Sequence, residues 1–97
     1  MISIELVLYV HERSVKEYGG GNGLRDQDLL LAAIGRPFQT FDQQDLYPSP
    51  IEKAAAIFES LIINHPFIDG NKRTAYLMLR YFLNLYGFDV LAFEDEK

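Results

Sequence analysis

Cysteine is absent from the 97 residues, so neither a disulfide frame nor a thiolate zinc site can form. Histidine is scarce. The two copies, His11 and His65, would both have to meet a carboxylate before a zinc site could exist. No apolar run approaches the roughly 18 residues that a membrane-spanning helix needs. Basic charge is also short: 9 Lys and Arg stand against 14 Asp and Glu, a net charge of -5. Broad nucleic-acid binding uses phosphate-neutralising basic surfaces, so no direct nucleic-acid binding is expected, and any anion site must be local. The opening "MISIELVLYVHERS" has no basic start followed by a small-residue cleavage site. The expectation is a cytoplasmic protein with no membrane segment.

The apolar content is 48%, with 7 Phe and 6 Tyr, which suits a globular chain rather than a disordered one. A chain of this length predicts one compact domain over residues 1–97, burying roughly 60% of its surface. Ile4, Val7, Leu8, His11 and Val15 recur at helical spacing, which predicts an amphipathic helix over 3–18. His11 falls on its apolar face and reads as a core residue with a satisfied ring nitrogen. "GGGNG" at 19–23 ends that helix; lacking a following Gly-Lys-Ser/Thr, it reads as a turn and not as a phosphate loop. Asp26 can cap a second helix to about Ile34, stopped by "GRP" at 35–37. Residues 36–48 are irregular, with at most a short extended piece. Ser49, Pro50 and Glu52 form a capping box with a proline at the first helical position, opening a helix over 50–64. A fourth helix is predicted from about Lys72 to Leu85, with Ala75, Leu79, Phe82 and Leu83 on its apolar face and Gly87 closing it. The acidic "FEDEK" reads as a solvated tail.

Between the third and fourth helices lies "NHPFIDGNKRTA". Pro66 ends one helix, because a residue preceding proline is biased out of the α region. His65 to Asn71 must then feed directly into the next helix start. Such a start carries unpaired N–H groups and a partial positive charge, and so attracts anions. Lys72 and Arg73 add formal charge there, although cations in a first turn oppose the macrodipole. A bound anion would repair that conflict. Asp69 can act as a hard ligand for Mg²⁺, and His65 can act as a general base. Arg25 reads as part of a helix start. Arg80, roughly two turns beyond Arg73, falls on the same face.

The string "HPFIDGNKRTA" resembles the Fic/Doc motif, His-Pro-Phe-x-(Asp/Glu)-Gly-Asn-Gly-Arg-x-x-Arg, and specifically its Doc (death on curing) branch. "YVHERSVKEYGGGNGLRDQDLLLAAIGRPFQTF" and "LYPSPIEKAAAIFESLIINHPF" are also similar to Doc-type sequences. The resemblance implies an all-α, compact Fic/Doc-like helical domain. It would have four helices and an irregular flap over 36–48, placed where the family docks its target. It implies that His65 is the general base on a Ser, Thr or Tyr hydroxyl and that Asp69 holds Mg²⁺ against the phosphates of ATP. Gly70, Asn71 and Lys72 would form the anion hole, Arg73 would contact phosphate, and Phe67 would pin the loop to the core.

Two positions depart from the general motif: Lys72 replaces its second glycine, the one after the asparagine, and Tyr76 its second arginine. That arginine binds the nucleotide's terminal phosphate in adenylylating members. Its absence favours the Doc-type reaction, phosphoryl transfer from ATP to a target protein such as a translation elongation factor. AMP transfer of the Fic type and a non-catalytic remnant that binds nucleotide or antitoxin are the alternatives. The implied partner is a Phd-type antitoxin. Doc-like chains continue by about a helix beyond the position of Phe93, so the domain is expected to lack the family's C-terminal helix. The uncovered face would then favour self-association or a partner.

Overall fold

The computed structural model describes residues 2–88. The acidic tail and the expectation about a C-terminal helix lie outside these residues. Helix α1 spans Ile4–Tyr18, α2 Gln27–Gly35, α3 Pro50–Asn64 and α4 Asn71–Leu85, with a short 3-10 turn at Arg36–Phe38. The strands Thr40–Phe41 (β1) and Gln44–Asp45 (β2) make one antiparallel hairpin, pairing Thr40 with Asp45 and Phe41 with Gln44. Among the described residues the fold is all-α apart from this hairpin.

Local chemistry sets each helix start. Ser3 Oγ accepts the Leu6 N–H at 3.2 Å, and Asp26 Oδ1 accepts the Leu29 N–H at 3.0 Å. At α3 the capping box closes in both directions: Ser49 Oγ accepts from Glu52 N at 3.1 Å and Glu52 Oε1 accepts from Ser49 N at 3.2 Å. Each pairing satisfies a backbone donor that a helix cannot satisfy internally. The end of α2 differs from the expected stop. The helix includes Gly35 and tightens into the 3-10 turn, with Pro37 in its first positions, where a missing N–H costs no hydrogen bond.

The core follows the helical period. Val7, His11 and Ser14 are buried on α1, Leu30, Ala33 and Ile34 on α2, and Ala54, Ile57 and Leu61 on α3. On α4 the buried residues are Asn71, Thr74, Ala75, Met78 and Phe82. Leu79 and Leu83 are only partly buried and pack at the edge of this cluster. Helices α3 and α4 make the most extensive packing, so the turn between them is held at both ends.

The 36–48 segment is fastened to α3 by polar contacts. The buried Lys53 donates through Nζ to Tyr47 O, Pro37 O and Asp45 Oδ2, the last at 3.1 Å. Arg36 pairs with Glu59 at 2.8 Å and donates to Ser60 Oγ and Tyr47 Oη. The hairpin turn has positive φ at both Asp42 (55°) and Gln43 (65°), the backbone that matches a two-residue hairpin to the strand twist. Phe41 at its tip is 75% exposed. Among the described residues no helix is long and apolar enough to cross a membrane.

Candidate active site

Helix α3 ends at Asn64, and His65 turns the chain with a left-handed backbone, φ 53° and ψ 54°. Phe67 then drops into the core, 1% exposed, its ring stacked on His11 at 3.8 Å between centroids. Asn71 closes the loop over it: Oδ1 accepts the Phe67 N–H and Nδ2 donates to Phe67 O, both at 2.9 Å. His11 Nε2 donates to Asp69 O at 2.8 Å, so the ring nitrogen of this core histidine is satisfied by the loop itself. The implied anchoring role of Phe67 is thus shared by Asn71 and His11.

The Asn71 side chain is turned to both backbone groups of Phe67 and is buried with them. What this residue can offer an anion is its backbone N–H, one of the α4 donors from Asn71 to Arg73 that the helical ladder leaves without a partner. Gly70 precedes them as N-cap with φ 78° and no side-chain cap, whereas the other three helices start on Ser3, Asp26 and Ser49 with side-chain caps. A Cβ on Gly70 would meet His11 Nε2 at an ordinary 3.6 Å, so its left-handed backbone rather than crowding is what calls for glycine.

Asp69 lies exposed beside this helix start. Its Oδ2 accepts the Gly21 N–H at 3.1 Å and its Oδ1 the Gly70 N–H at 2.8 Å. These two bonds, that from Gly21 first, hold its carboxyl below the usual aspartate range and keep it ionised at neutral pH. The "GGGNG" turn therefore packs on the acid, and Gly20 lies close against it: a Cβ there would sit 3.0 Å from Asp69 Oδ2, so the carboxylate would have to shift.

These residues face an open cleft of about 840 Å³. His65, Asp69, Gly70, Asn71, Lys72 and Arg73 line it from the loop and the first turn of α4. Tyr76 and Arg80 line it further along α4, and Ser14 and Tyr18 face them from α1. Every sequence-predicted site residue is in this lining except Phe67, which is buried beneath it. The Arg73 guanidinium sits 3.9 Å from the centroid of the Tyr18 ring, a cation–π contact. Tyr18 and Ser14 were not anticipated. Their only signal is position on the cleft side of α1, which becomes visible once α1 is packed against α4. Arg25 does more than begin a helix: its guanidinium donates to His65 O at 2.7 Å and to Asn64 O at 2.9 Å.

A carboxylate oxygen with lone pairs to spare, beside helix-start N–H groups and two cations, suits a divalent ion carried with phosphates. Mg²⁺ commonly takes one or two carboxylates and completes its shell with phosphate and water. The exposed His65 imidazole at the same rim can accept a proton from a hydroxyl.

Fold and site together define a small helical domain with an open cleft lined by a histidine-bearing loop and the helix start that follows it. The chain belongs to the Fic/DOC family, whose model matches residues 1–83. It is 44% identical over 75 residues to the protein named Toxin Doc of Mycolicibacterium smegmatis, over 77% of this chain and 58% of that one. It is also 45% identical over 47 residues to Protein adenylyltransferase fic-1 of Caenorhabditis elegans, and 43% identical over 47 residues to the protein of that name in Caenorhabditis briggsae. Each nematode match covers 48% of this chain and 9% of the relative. No solved structure matches significantly.

Proposed function

We propose that this chain is a Doc-type toxin that transfers the γ-phosphoryl group of ATP to a hydroxyl of a target protein, such as a translation elongation factor in the cytoplasm. The carrying observation is the gathering of His65, ionised Asp69 and the uncapped start of α4 with Lys72 and Arg73 around one cleft. Similarity to the protein named Toxin Doc supports the reading.

In the proposed reaction His65 takes the proton of a Ser, Thr or Tyr hydroxyl. The hydroxyl oxygen bonds to the γ-phosphorus as the bond from that phosphorus to the β–γ bridging oxygen breaks, and ADP leaves. The α4 N–H groups with Lys72 and Arg73 hold the phosphates, and Tyr18 steadies the Arg73 plane. Asp69 would hold Mg²⁺, which supplies charge neutralisation at the phosphates. Such transfer depends mainly on positioning and charge, both of which this cleft offers. A Phd-type antitoxin is the proposed partner that restrains the activity.

A second reading is AMP transfer. Tyr76 stands where adenylylating members carry an arginine, but Arg80 lines the same cleft one turn further on and could supply that charge. The nematode relatives also bear the adenylyltransferase name. ATP labelled at the γ or the α phosphate, incubated with Mg²⁺ and a cell extract, separates the two. The expected result is γ label on an extract protein, absent with His65→Ala. Label from the α phosphate means adenylyl transfer, and no label from either favours a domain that binds without turnover.

A further inference from the structure

We propose that Arg25 is the positioning residue for His65. The inference rests on the proposed role of His65 as base, and it concerns how that side chain is held. His65 is not glycine, yet its backbone is left-handed at φ 53°. Residues in such conformations persist when the surroundings over-determine them, and they concentrate at working sites. Its imidazole is exposed, so its aim into the cleft depends on the backbone that carries it.

Arg25 supplies the hold. The last carbonyls of a helix lack partners within it, and a cation there also meets the negative end of the helix dipole. Arg25 takes two of them, Nε donating to His65 O at 2.7 Å and Nη2 to Asn64 O at 2.9 Å. The rigid guanidinium fork fixes both carbonyls at once, which a lysine ammonium on its flexible stem cannot do.

The clamp is itself anchored. The backbone N–H groups of Arg25 and Asp26 donate to Pro66 O at 2.7 and 3.0 Å, and Ile68 N donates to Gly23 O at 3.1 Å. Leu24 and Phe67 pair as an antiparallel bridge between these bonds. Asp26 then caps α2, and Asn64 Nδ2 donates to Leu29 O at 3.0 Å. Residues 21–26 thus form a brace laid along 64–69, and Arg25 is the side chain in it that grips the Asn64 and His65 carbonyls, the two that flank the His65 Cα. Arg25 does not line the cleft, so it acts through His65 and not on a substrate.

The test uses the full chain with Arg25→Gln, Arg25→Lys and His65→Ala. With γ-labelled ATP, Mg²⁺ and a cell extract, Arg25→Gln should lower the labelling rate at saturating ATP by tenfold to about a hundredfold, the scale of a misplaced catalytic group. The ATP concentration giving half the maximal rate should not move, because the phosphate-holding residues are untouched. Arg25→Lys should recover part of the rate. Independently of any activity, the strong intraresidue NMR NOE between the His65 amide and Hα protons, the signature of positive φ, should weaken in Arg25→Gln.

A variant that keeps both its rate and this NOE overturns the proposal, and so does a fall confined to ATP affinity. If Arg25→Gln does not fold, Arg25→Lys decides: a wild-type rate and NOE in it overturn the need for the fork. If the wild-type protein labels nothing, the proposed function fails, while the NOE still decides what holds His65.

Discussion

At the residue scale, the duties proposed for His65 and Asp69 are separate, and their removal should look different. His65→Ala should lower transfer by about 10²–10⁴, the usual worth of a general base, while leaving the fold intact because the side chain is exposed. Labelling of an extract protein measures the first part, and thermal unfolding the second. Asp69 gives a prediction in pH. Its folded-state pKa is lowered by the Gly21 and Gly70 N–H bonds, so their contribution is complete above the ordinary aspartate range and is lost only as pH falls through the lowered value. The amide NMR shifts of Gly21 and Gly70 should stay flat from neutral pH down to that range and move only below it. Asp69→Asn should abolish the movement. Asn71 also holds the loop: its amide serves the backbone of Phe67, and Asn71→Ala would leave a buried N–H and C=O unpaired, at about 1–3 kcal/mol each. Urea denaturation measures that loss.

At the element scale, the α3–α4 turn is built as a plug. Phe67 fills the core between His11 and the helices, and Phe67→Ala should cost about 3–5 kcal/mol through lost burial and the cavity left behind. The same change should release Asp69, because the His11 ring that stacks on Phe67 also holds the Asp69 carbonyl. The hairpin flap depends on a different device. Lys53→Met keeps the aliphatic stem but drops the ammonium that joins Pro37, Asp45 and Tyr47. The expected cost is about 1–3 kcal/mol, at the modest end because the Asp45 partner is open to water. Faster amide exchange at Leu46, whose N–H reaches Gln39 O at 3.0 Å across the hairpin, would report the loosening.

At the scale of the whole molecule, the four helices and one hairpin of the described residues bring an imidazole, a carboxylate and two cations to one rim of a protein whose net charge is -5. The cations that offend the macrodipole of α4 stand where an anion would meet them, so ATP binding should offset a local conflict. Excess ATP with Mg²⁺ should therefore raise the thermal midpoint, as any ligand of the folded state does. Lys72→Ala with Arg73→Ala should remove most of that rise while leaving the unliganded midpoint unchanged or slightly higher. An equal rise in the double variant would place the nucleotide elsewhere.

The sequence alone determined much of this protein, because the signals involved are local. The period of its apolar residues, the caps Ser3, Asp26 and Ser49, the proline at 50 and the glycines at 19 and 87 fixed four helices to within a residue or so. The contiguous run from His65 to Arg73 made most of the candidate site legible, since those residues lie on one loop and one helical turn. What the tertiary structure decided lies between segments distant in the chain. Tyr18 reaches Arg73, Gly21 reaches Asp69 and Arg25 reaches His65 only because α1 and the following turn fold back across the α3–α4 junction. Spacing along one segment cannot encode those meetings, for they are fixed by the joint packing of Val7, His11, Phe67 and their neighbours in a shared core.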